Sequence, residues 1–169
     1  MARCPWVPLP PGLDTCRALL RYEGPARELV ARLKYRNHRA AVDWMGAALA
    51  ELVGAEAVDV VTWAPTTPDR RRARGFDHAE VLARRVAHHL GRPCRRLVRR
   101  LPGPPQTGRT SVDRRRGPAF EPVRSVRGRT VLLVDDVVTT GATLASAGRV
   151  LRSAGAVSVV GVAVAHPSR

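Results

Sequence analysis

The sequence predicts an α/β protein in which a parallel sheet is flanked by helices. Two apolar stretches, VLLV at 131–134 and VSVVGVAVA at 157–165, show no polar alternation, as in strands that are buried on both faces. A third stretch, VDVVTW at 58–63, resembles them. The segments between these three stretches include apolar residues at helical spacing. Strands that alternate with helices are typical of a parallel sheet with helical crossovers.

Length and composition favour one domain. The chain has 169 residues, of which 44% are hydrophobic, and this suffices for a single core. No apolar run is long enough to cross a membrane and the N-terminus lacks an apolar signal core, so we expect a cytoplasmic protein without membrane insertion. We expect residues 1–16, which are rich in proline, to form an irregular arm and residues 17–169 to form the domain.

The chain is strongly basic. Its 29 Lys and Arg residues against 14 Asp and Glu residues give a net charge of +15, which favours phosphorylated substrates or nucleic acid as partners. A genome biased towards arginine codons would explain the excess of arginine over lysine, but not the shortage of acidic residues. Aromatic residues make up only 4% of the chain, which counts against a protein dedicated to stacking single-stranded bases.

Two helices are predicted before the strand at 58–63. From Ala26, apolar residues recur at helical spacing over a short segment. A second amphipathic pattern runs from Arg39 to Val53, with Gly54 as its C-cap.

A second strand, loop and helix unit follows at 58–91. Residues 65–76 are predicted to be a loop, because two prolines interrupt them, and they carry several arginines. A helix then starts at Asp77, with Glu80 three residues later as in a capping box. Backbone N–H groups and arginines at a helix start suit a diphosphate, with Arg74 and Gly75 as its ligands. The alternative is a solvated basic loop.

The C-terminal half supplies the remaining elements. Residues 94–101 are predicted to form a strand near the edge of the sheet. Residues 102–120 lack periodicity and are rich in glycine, proline and arginine, and a loop of this length is usually functional or disordered. Arg109 and Arg114 make this loop a candidate lid over anionic ligands, ordered on binding. The sheet resumes over 126–134.

One stretch carries most of the chemistry. Asp135 and Asp136 follow the strand at 131–134, where that strand is expected to end, and a helical pattern opens soon after them. The residues between are hydroxyls and small side chains, namely Thr139, Thr140, Gly141, Ala142 and Thr143. Free N–H groups and the positive end of the helix dipole favour an anion there, and Gly141 lets a phosphate come close to the backbone.

The two aspartates add a second chemistry beside that anion site. A carboxylate cannot bind a phosphate directly, but it suits the hydroxyls of a sugar or a Mg²⁺ that a phosphate also ligates. A phosphate loop beside two acids therefore predicts a phosphorylated sugar as the ligand.

Other nucleotide-binding motifs are absent from the sequence. An apolar strand that ends in two aspartates also occurs in P-loop ATPases, but these need a G-x-x-x-x-G-K-[ST] loop, and the only lysine, Lys34, has no glycine framework. No G-x-G-x-x-G opens a helix, so a Rossmann dinucleotide site has no support. The remaining alternative, a buried strand followed by an ordinary turn, does not explain adjacent carboxylates before T-T-G-x-T.

The stretch 131–144 resembles the phosphoribosyl-pyrophosphate (PRPP) signature of type I phosphoribosyltransferases. A second segment, RARGFDHAEVLA at 72–83, resembles the ComF family of phosphoribosyltransferase-like proteins, which usually has Asn-Gln where this chain has Asp77 and His78. ComF proteins often begin with a four-cysteine zinc module. Only Cys4 and Cys16 stand near this N-terminus, so we expect no zinc, and the arm is interpreted as a degenerate remnant of that module.

The resemblance implies a fold, a ligand and a reaction. It implies a type I phosphoribosyltransferase-like sheet with a mobile basic loop before the PRPP strand, and Mg²⁺ that acts with PRPP. Asp135 and Asp136 would be the catalytic acids along the ribose hydroxyls, holding Mg²⁺ indirectly, and residues 139–143 would hold the 5′-phosphate. The reaction would be pentosyl transfer to an unidentified acceptor.

The same resemblance implies a rival function in DNA handling. ComF relatives are associated with DNA uptake in competence and with DNA metabolism. The chain would then be a non-catalytic module that binds single-stranded DNA and works with a competence helicase.

Overall fold

The computed structural model of the protein describes residues 9–24, 28, 39–54, 57–102 and 117–167. Six strands lie within these ranges: β1 (Thr15–Arg21), β2 (Val60–Trp63), β3 (Val98–Arg100), β4 (Phe120–Pro122), β5 (Thr130–Val137) and β6 (Ser158–His166). Four of them form a parallel sheet in the order β1–β6–β5–β2. The other two, β3 and β4, pair antiparallel in a small separate sheet.

The same ranges contain four helices of seven residues or more, three of which cover the two faces of the parallel sheet. The four helices are α1 (Arg39–Val53), α2 (Pro68–Arg74), α3 (His78–Leu90) and α4 (Ala142–Ser153). In β5, Leu132 and Val134 pack with α1 and α3, whereas Val131 and Leu133 pack with α4. All four side chains are fully buried, as expected of a strand covered on both faces. The predicted parallel sheet flanked by helices is confirmed.

Most predicted elements that fall in the described ranges are present. Helix α1 has its predicted bounds, and Gly54 follows it with φ 64°. Asp77 is the N-cap of α3 and Gly91 is its C-cap. Strand β6, at Ser158–His166, is shifted by one residue from the predicted strand at 157–165. The helix predicted from Ala26 lies mostly outside the described residues, and so do residues 103–116 of the predicted basic loop.

Strand β1 was not predicted. It begins at Thr15, inside the segment 1–16 that was expected to be irregular, and it pairs with β6 over almost its whole length, Ala18 facing Ala163. Its sequence, TCRALLR, is rich in Ala, Leu and Arg, which favour helices when the chain is considered locally. Pairing with the long strand β6 overrides that preference.

Two other predictions about elements are wrong. The predicted loop at 65–76 contains α2, which begins with Pro68 at its first position and has Asp69 in its first turn, both of which favour a helix start. The predicted strand at 94–101 is shorter, Val98–Arg100, and belongs to the small sheet rather than to the edge of the parallel one. Only Cys94 makes a single bridge to Val61 of β2.

No helix in the described ranges is both long enough and apolar enough to cross a membrane.

The contact between α1 and α3 gives a test of the packing. A Cβ at Gly46 of α1 would lie 2.5 Å from Cβ of Arg85 on α3 and 3.2 Å from its carbonyl carbon. Alanine ordinarily stabilises a helix interior by about 1 kcal/mol over glycine. Here we expect the overlap to outweigh this gain, so that Gly46→Ala lowers the free energy of unfolding by about 1–3 kcal/mol in urea denaturation. A rise in stability would contradict the contact.

Candidate active site

The structure brings the predicted segments together at one edge of the parallel sheet. The N–H of Ala64, just after β2, donates to the carbonyl of Val134 in β5 at 3.0 Å. The N–H of Val138 donates to the carbonyl of Ala165 in β6 at 3.0 Å and so fixes the chain that leaves β5. Ligands of open α/β sheets bind beyond the carboxyl ends of the strands. The segment after β2 and the stretch 135–143 therefore lie side by side at such an edge.

The two aspartates lie inside β5, not after it. The strand continues to Val137, so the prediction that it ends at the aspartates is wrong. The reason is the length of β6, which pairs Asp135 with Ala163 and Val137 with Ala165. Although successive side chains alternate along a strand, the carboxyl groups of Asp135 and Asp136 remain close enough to interact with each other. The pairing therefore holds the backbone of both acids rigidly at the edge of the site.

Asp135 is a buried carboxyl in an unfavourable electrostatic environment. It is 9% exposed, and its Oδ1 accepts a hydrogen bond of 2.8 Å from the N–H of Asp136. Burial raises the pKa of Asp135 well above its usual value, and the neighbouring charge of Asp136 raises that pKa further, with a smaller contribution from Asp77. Burial of this group opposes its ionisation, and a cation or a hydroxyl donor would relieve that cost.

Neither acid has a basic partner in the described part of the chain. No ion pair there involves Asp135 or Asp136. Oδ1 of Asp136 instead accepts a hydrogen bond of 2.7 Å from the N–H of Val137. Each carboxylate thus uses one oxygen on the adjacent backbone. Their other oxygens have no ion pair with a basic side chain in the described ranges. These oxygens suit hydrogen bonds from hydroxyl groups or contact with a hydrated Mg²⁺.

The chain after β5 forms a loop and then the N-terminus of α4. Gly141 is the N-cap of α4, with φ 74°, and it has no side chain to accept from the first N–H groups of the helix. Its carbonyl accepts from the N–H of Ala145 at 2.8 Å, and Oγ1 of Thr140 approaches the N–H of Ala142 only at 3.4 Å. Thr139 and Thr140 are exposed. The first turn of α4 therefore offers backbone N–H groups and hydroxyls to an anion.

The segment after β2 is tied back to α3 by Asp77. Its Oδ2 accepts from the N–H of Thr66 at 2.9 Å, and its Oδ1 accepts from the N–H of Ala79 at 3.2 Å. The side chain is 5% exposed, and burial raises the pKa of Asp77. Asp77 thus closes the segment that contains α2 and fixes both its ends beside β5. The sequence indicated only the cap of α3, not the bond to Thr66.

The predicted diphosphate ligands lie at the end of α2. Arg74 is the last residue of this helix, and Gly75 follows it with φ 79°, its N–H donating to the carbonyl of Arg71 at 2.8 Å. The structure describes the backbone of Arg74 but not its side chain. The predicted lid residues Arg109 and Arg114 lie outside the described residues.

Cys16 is a neighbour of the site that the sequence did not indicate. It lies on β1, an edge strand of the parallel sheet, and burial, together with the nearby Asp135 carboxylate, raises the pKa of its thiol to about 12. Only the pairing of β1 with β6 brings this residue close to Asp135, so no local signal could have found it. A thiol in this environment stays protonated and packs as a small apolar side chain.

Comparison with protein families and relatives points to one kind of domain. The family model of the phosphoribosyl transferase domain matches residues 73–169. Over 144 residues the chain is 26% identical to competence protein ComFC of Bacillus subtilis (strain 168). The match covers 82% of this chain but 58% of that relative, so the chain spans less than two thirds of its length.

Two solved structures share the fold. A purine phosphoribosyltransferase from Pyrococcus horikoshii matches with a TM-score of 0.52 and 21% identity, over 76% of this chain and 74% of its own. The glutamine PRPP amidotransferase of B. subtilis, complexed with ADP and GMP, matches with a TM-score of 0.54 and 24% identity, over 79% of this chain and 30% of its own.

The buried carboxyl of Asp135 gives a pH-dependent prediction about stability. Because its pKa is raised in the folded protein, stability declines as pH rises from the usual aspartate value of 3.8 through the folded value. Asparagine cannot ionise, so we expect Asp135→Asn to raise the melting temperature by about 3–6 °C at pH 8 and by little at pH 4.

Differential scanning calorimetry at both pH values measures this difference. Asp69→Asn, which removes a carboxylate whose side chain is 86% exposed, is the matched control and should change the melting temperature little at either pH. A gain for Asp135→Asn that does not grow with pH would show that burial of the charge is not its cause.

Proposed function

Because the chain belongs to the phosphoribosyl transferase domain family, we propose that it binds PRPP at the carboxyl edge of its sheet and transfers the phosphoribosyl group to a nucleophilic acceptor. The family match confirms the resemblance to type I phosphoribosyltransferases, and the likeness to ComFC agrees with the ComF-like motifs. The observation that carries the proposal is the placement of two aspartates and an uncapped helix N-terminus at one edge, next to the segment that follows β2.

The 5′-phosphate would bind at the start of α4. Gly141 leaves the first-turn N–H groups without a side-chain cap, and the exposed hydroxyls of Thr139 and Thr140 stand beside them. Ala142 and Thr143 supply the next backbone groups of the same turn. A phosphate accepts hydrogen bonds from all of these donors, and the helix dipole favours its charge.

Asp135 and Asp136 would line the ribose. Their carboxylates accept hydrogen bonds from the ribose hydroxyls and favour the positive charge that develops on the ring as the diphosphate leaves. They would hold Mg²⁺ indirectly, and the ion would neutralise the charge of the diphosphate. The raised pKa of Asp135 supports this role, since a buried carboxyl with no ion pair in the described ranges gains from hydroxyl donors and from a nearby cation.

The diphosphate would lie over the segment after β2. Gly75 belongs to the segment between β2 and α3, which the hydrogen bond from Thr66 to Asp77 closes next to β5. Arg74 would add its guanidinium, which suits bidentate phosphate binding. Arg109 and Arg114 would close over the leaving group. The nucleophile would be the substrate that accepts the phosphoribosyl group. It would donate an electron pair to the ribose carbon and form a bond to it as the bond between that carbon and the diphosphate breaks.

Calorimetric titration with PRPP, with and without Mg²⁺ at fixed salt, tests the proposed site. We expect saturable binding that depends on Mg²⁺, and Asp136→Asn should weaken it by at least about tenfold, or 1.4 kcal/mol, because a charged hydrogen-bond acceptor is lost. Thr140→Ala should weaken binding of PRPP and of ribose 5-phosphate alike, since its hydroxyl would contact the phosphate that they share.

Asp43→Asn is the matched control for Asp136→Asn. Asp43 is an exposed carboxylate on α1, paired with Arg85 and His89 in the C-terminal half of α3. It should leave PRPP binding unchanged. The proposal fails if the wild-type protein binds no PRPP, or if Asp43→Asn and Asp136→Asn weaken binding equally.

A second function, binding of single-stranded DNA, is favoured by arginines at the opposite edge of the sheet. Arg129 immediately precedes β5, the N–H of Arg95 donates to Val61 near the start of β2, and Arg127 lies against Gly155, which precedes β6. Five arginines in these connections are exposed and have no ion pair within the described ranges: Arg95, Arg96, Arg124, Arg127 and Arg129. Such a cluster suits a phosphate backbone.

The likeness to a competence protein supports the same function. On this proposal the chain acts in the cytoplasm on DNA taken up in competence, together with a competence helicase. The DNA surface and the PRPP site lie at opposite edges of the parallel sheet, so the two functions can coexist in one chain.

Salt-dependent binding of a single-stranded oligonucleotide tests this second function. We expect the triple change of Arg95, Arg127 and Arg129 to Gln to weaken binding. Each phosphate contact contributes about 0.7 to the slope of log Kd against log salt, so the loss of three contacts should lower this slope by about 2. PRPP binding should stay unchanged. Changing Arg84, Arg85 and Arg149 to Gln removes the same charge from other surfaces, and an equal loss in this control would contradict a defined DNA surface.

A further inference from the structure

The segment that precedes β1 packs against the loop that we propose to bind the 5′-phosphate. Pro10 is buried, and its ring lies against Gly141, where an added Cβ would be 3.0 Å from Cγ of Pro10 and 3.4 Å from its Cβ. We infer that residues 9–14 form a strap that supports this loop, and that Pro10 is a positioning residue for phosphate binding. The inference rests on the proposed function and deepens it.

The strap is anchored at its C-terminal end by Asp14. Oδ2 of Asp14 accepts from the hydroxyl of Ser158 at 2.7 Å and from the N–H of Val159 at 2.8 Å, while Oδ1 pairs with the guanidinium of Arg152. The hydrogen bond from Ser158, with those from Val159 and Arg152, lowers the pKa of Asp14 although burial opposes this. One carboxylate thus joins the strap to the end of α4 and to the start of β6.

The middle of the strap fits a groove made by glycines. Leu13 is 6% exposed and lies over Gly148 of α4 and Gly161 of β6, where a Cβ on either glycine would overlap its methyl groups. Gly12 has φ 93°, and a Cβ there would be 2.8 Å from the backbone nitrogen of Arg149. A side chain at Gly148 or Gly161 would collide with the side chain of Leu13, and one at Gly12 would collide with the backbone of α4.

A turn then carries the strap from this groove to the phosphate loop. The N–H of Leu13 donates to the carbonyl of Pro10 at 3.2 Å, which places Pro10 over the N-cap of α4. The loop is held at its other end by the bond from Val138 to Ala165 in β6. Between these two supports Thr139 and Thr140 are exposed. Pro10 therefore backs the one position, Gly141, whose left-handed conformation sets the direction of the first N–H groups of α4.

Support of this kind should improve phosphate affinity. An anion site made of backbone N–H groups binds well when these groups are already oriented, because no ordering cost is then incurred on binding. Removal of the Pro10 ring leaves Gly141 free to move into the space behind it. The loop would keep its residues but lose its fixed geometry.

Two substitutions at neighbouring prolines test the strap. Pro10→Gly removes the buried ring, whereas Pro11→Gly makes the same change at an exposed position and is the matched control for backbone freedom. Pro10→Val keeps carbons at the Cβ and Cγ positions and should restore most of the contact. Thermal unfolding of each variant establishes that it is folded at the temperature used.

The first measurement is independent of any ligand. In ¹H–¹⁵N NMR spectra of the full chain, Pro10→Gly should shift the amide signals of residues 139–142, and Pro11→Gly should leave them in place. The second measurement is calorimetric titration with PRPP, in which we expect a roughly tenfold rise in Kd for Pro10→Gly alone and recovery in Pro10→Val.

Each result decides the inference. It is overturned if the loop amides do not shift in Pro10→Gly, if both glycine variants weaken PRPP binding equally, or if the amides shift and affinity stays the same. If the wild-type protein binds no PRPP, the proposed function fails, and titration with ribose 5-phosphate and with inorganic phosphate then replaces PRPP in the same comparison. Equal affinities of Pro10→Gly and wild type for these phosphates would overturn the strap as a support of an anion site.

Discussion

The pairing of β5 with β6 is the constraint on which the candidate site depends. It continues through both aspartates to Val137, so the acids are held by backbone hydrogen bonds to a neighbouring strand and not by a flexible loop. The next residue, Val138, is bonded to the same strand. Only then does the chain leave the sheet to form the anion-binding turn. Two chemically different groups, carboxylates and backbone N–H groups, are thereby fixed within a few residues of one another.

The burial of Asp135 next to Asp136 lowers the stability of the fold, and this cost points to a functional role for the two acids. A carboxyl that is buried beside a second carboxyl, with no ion pair in the described ranges, destabilises the fold unless it is protonated or meets a ligand. Asp77 adds a second buried acid nearby, although two N–H groups offset its burial. Such local violations are expected where a site is shaped for a ligand and not for the core.

The site is assembled from four parts of the chain, each fixed by a different interaction. Strand pairing holds the aspartates, the capping carboxylate of Asp77 holds the segment after β2, and the N-terminus of α4 supplies the anion-binding turn. The fourth part, residues 9–14, is fixed by Asp14 and by a groove lined with glycines. Packing behind the phosphate loop thus comes from a segment far away in sequence.

The sequence by itself determined the fold class, the order of most elements and the placement of Asp135, Asp136 and residues 139–143 on one strand, loop and helix unit. It did so because unbroken apolar runs, helical periodicity and N-cap chemistry are local signals that depend on neighbours within a few residues. The bounds of α1 and the cap of α3 were predictable for the same reason.

Only the tertiary structure decided the rest. Strand β1 has a helix-favouring sequence and forms because β6 is available to pair with it. Pairing with β6 also extends β5 beyond Asp135 and Asp136 to Val137. The proximity of Cys16 to Asp135, the bond from Thr66 to Asp77 and the contact of Pro10 with Gly141 join residues that are distant along the chain. Strand pairing and close packing are cooperative properties of the whole sheet, so no local window of sequence contains them.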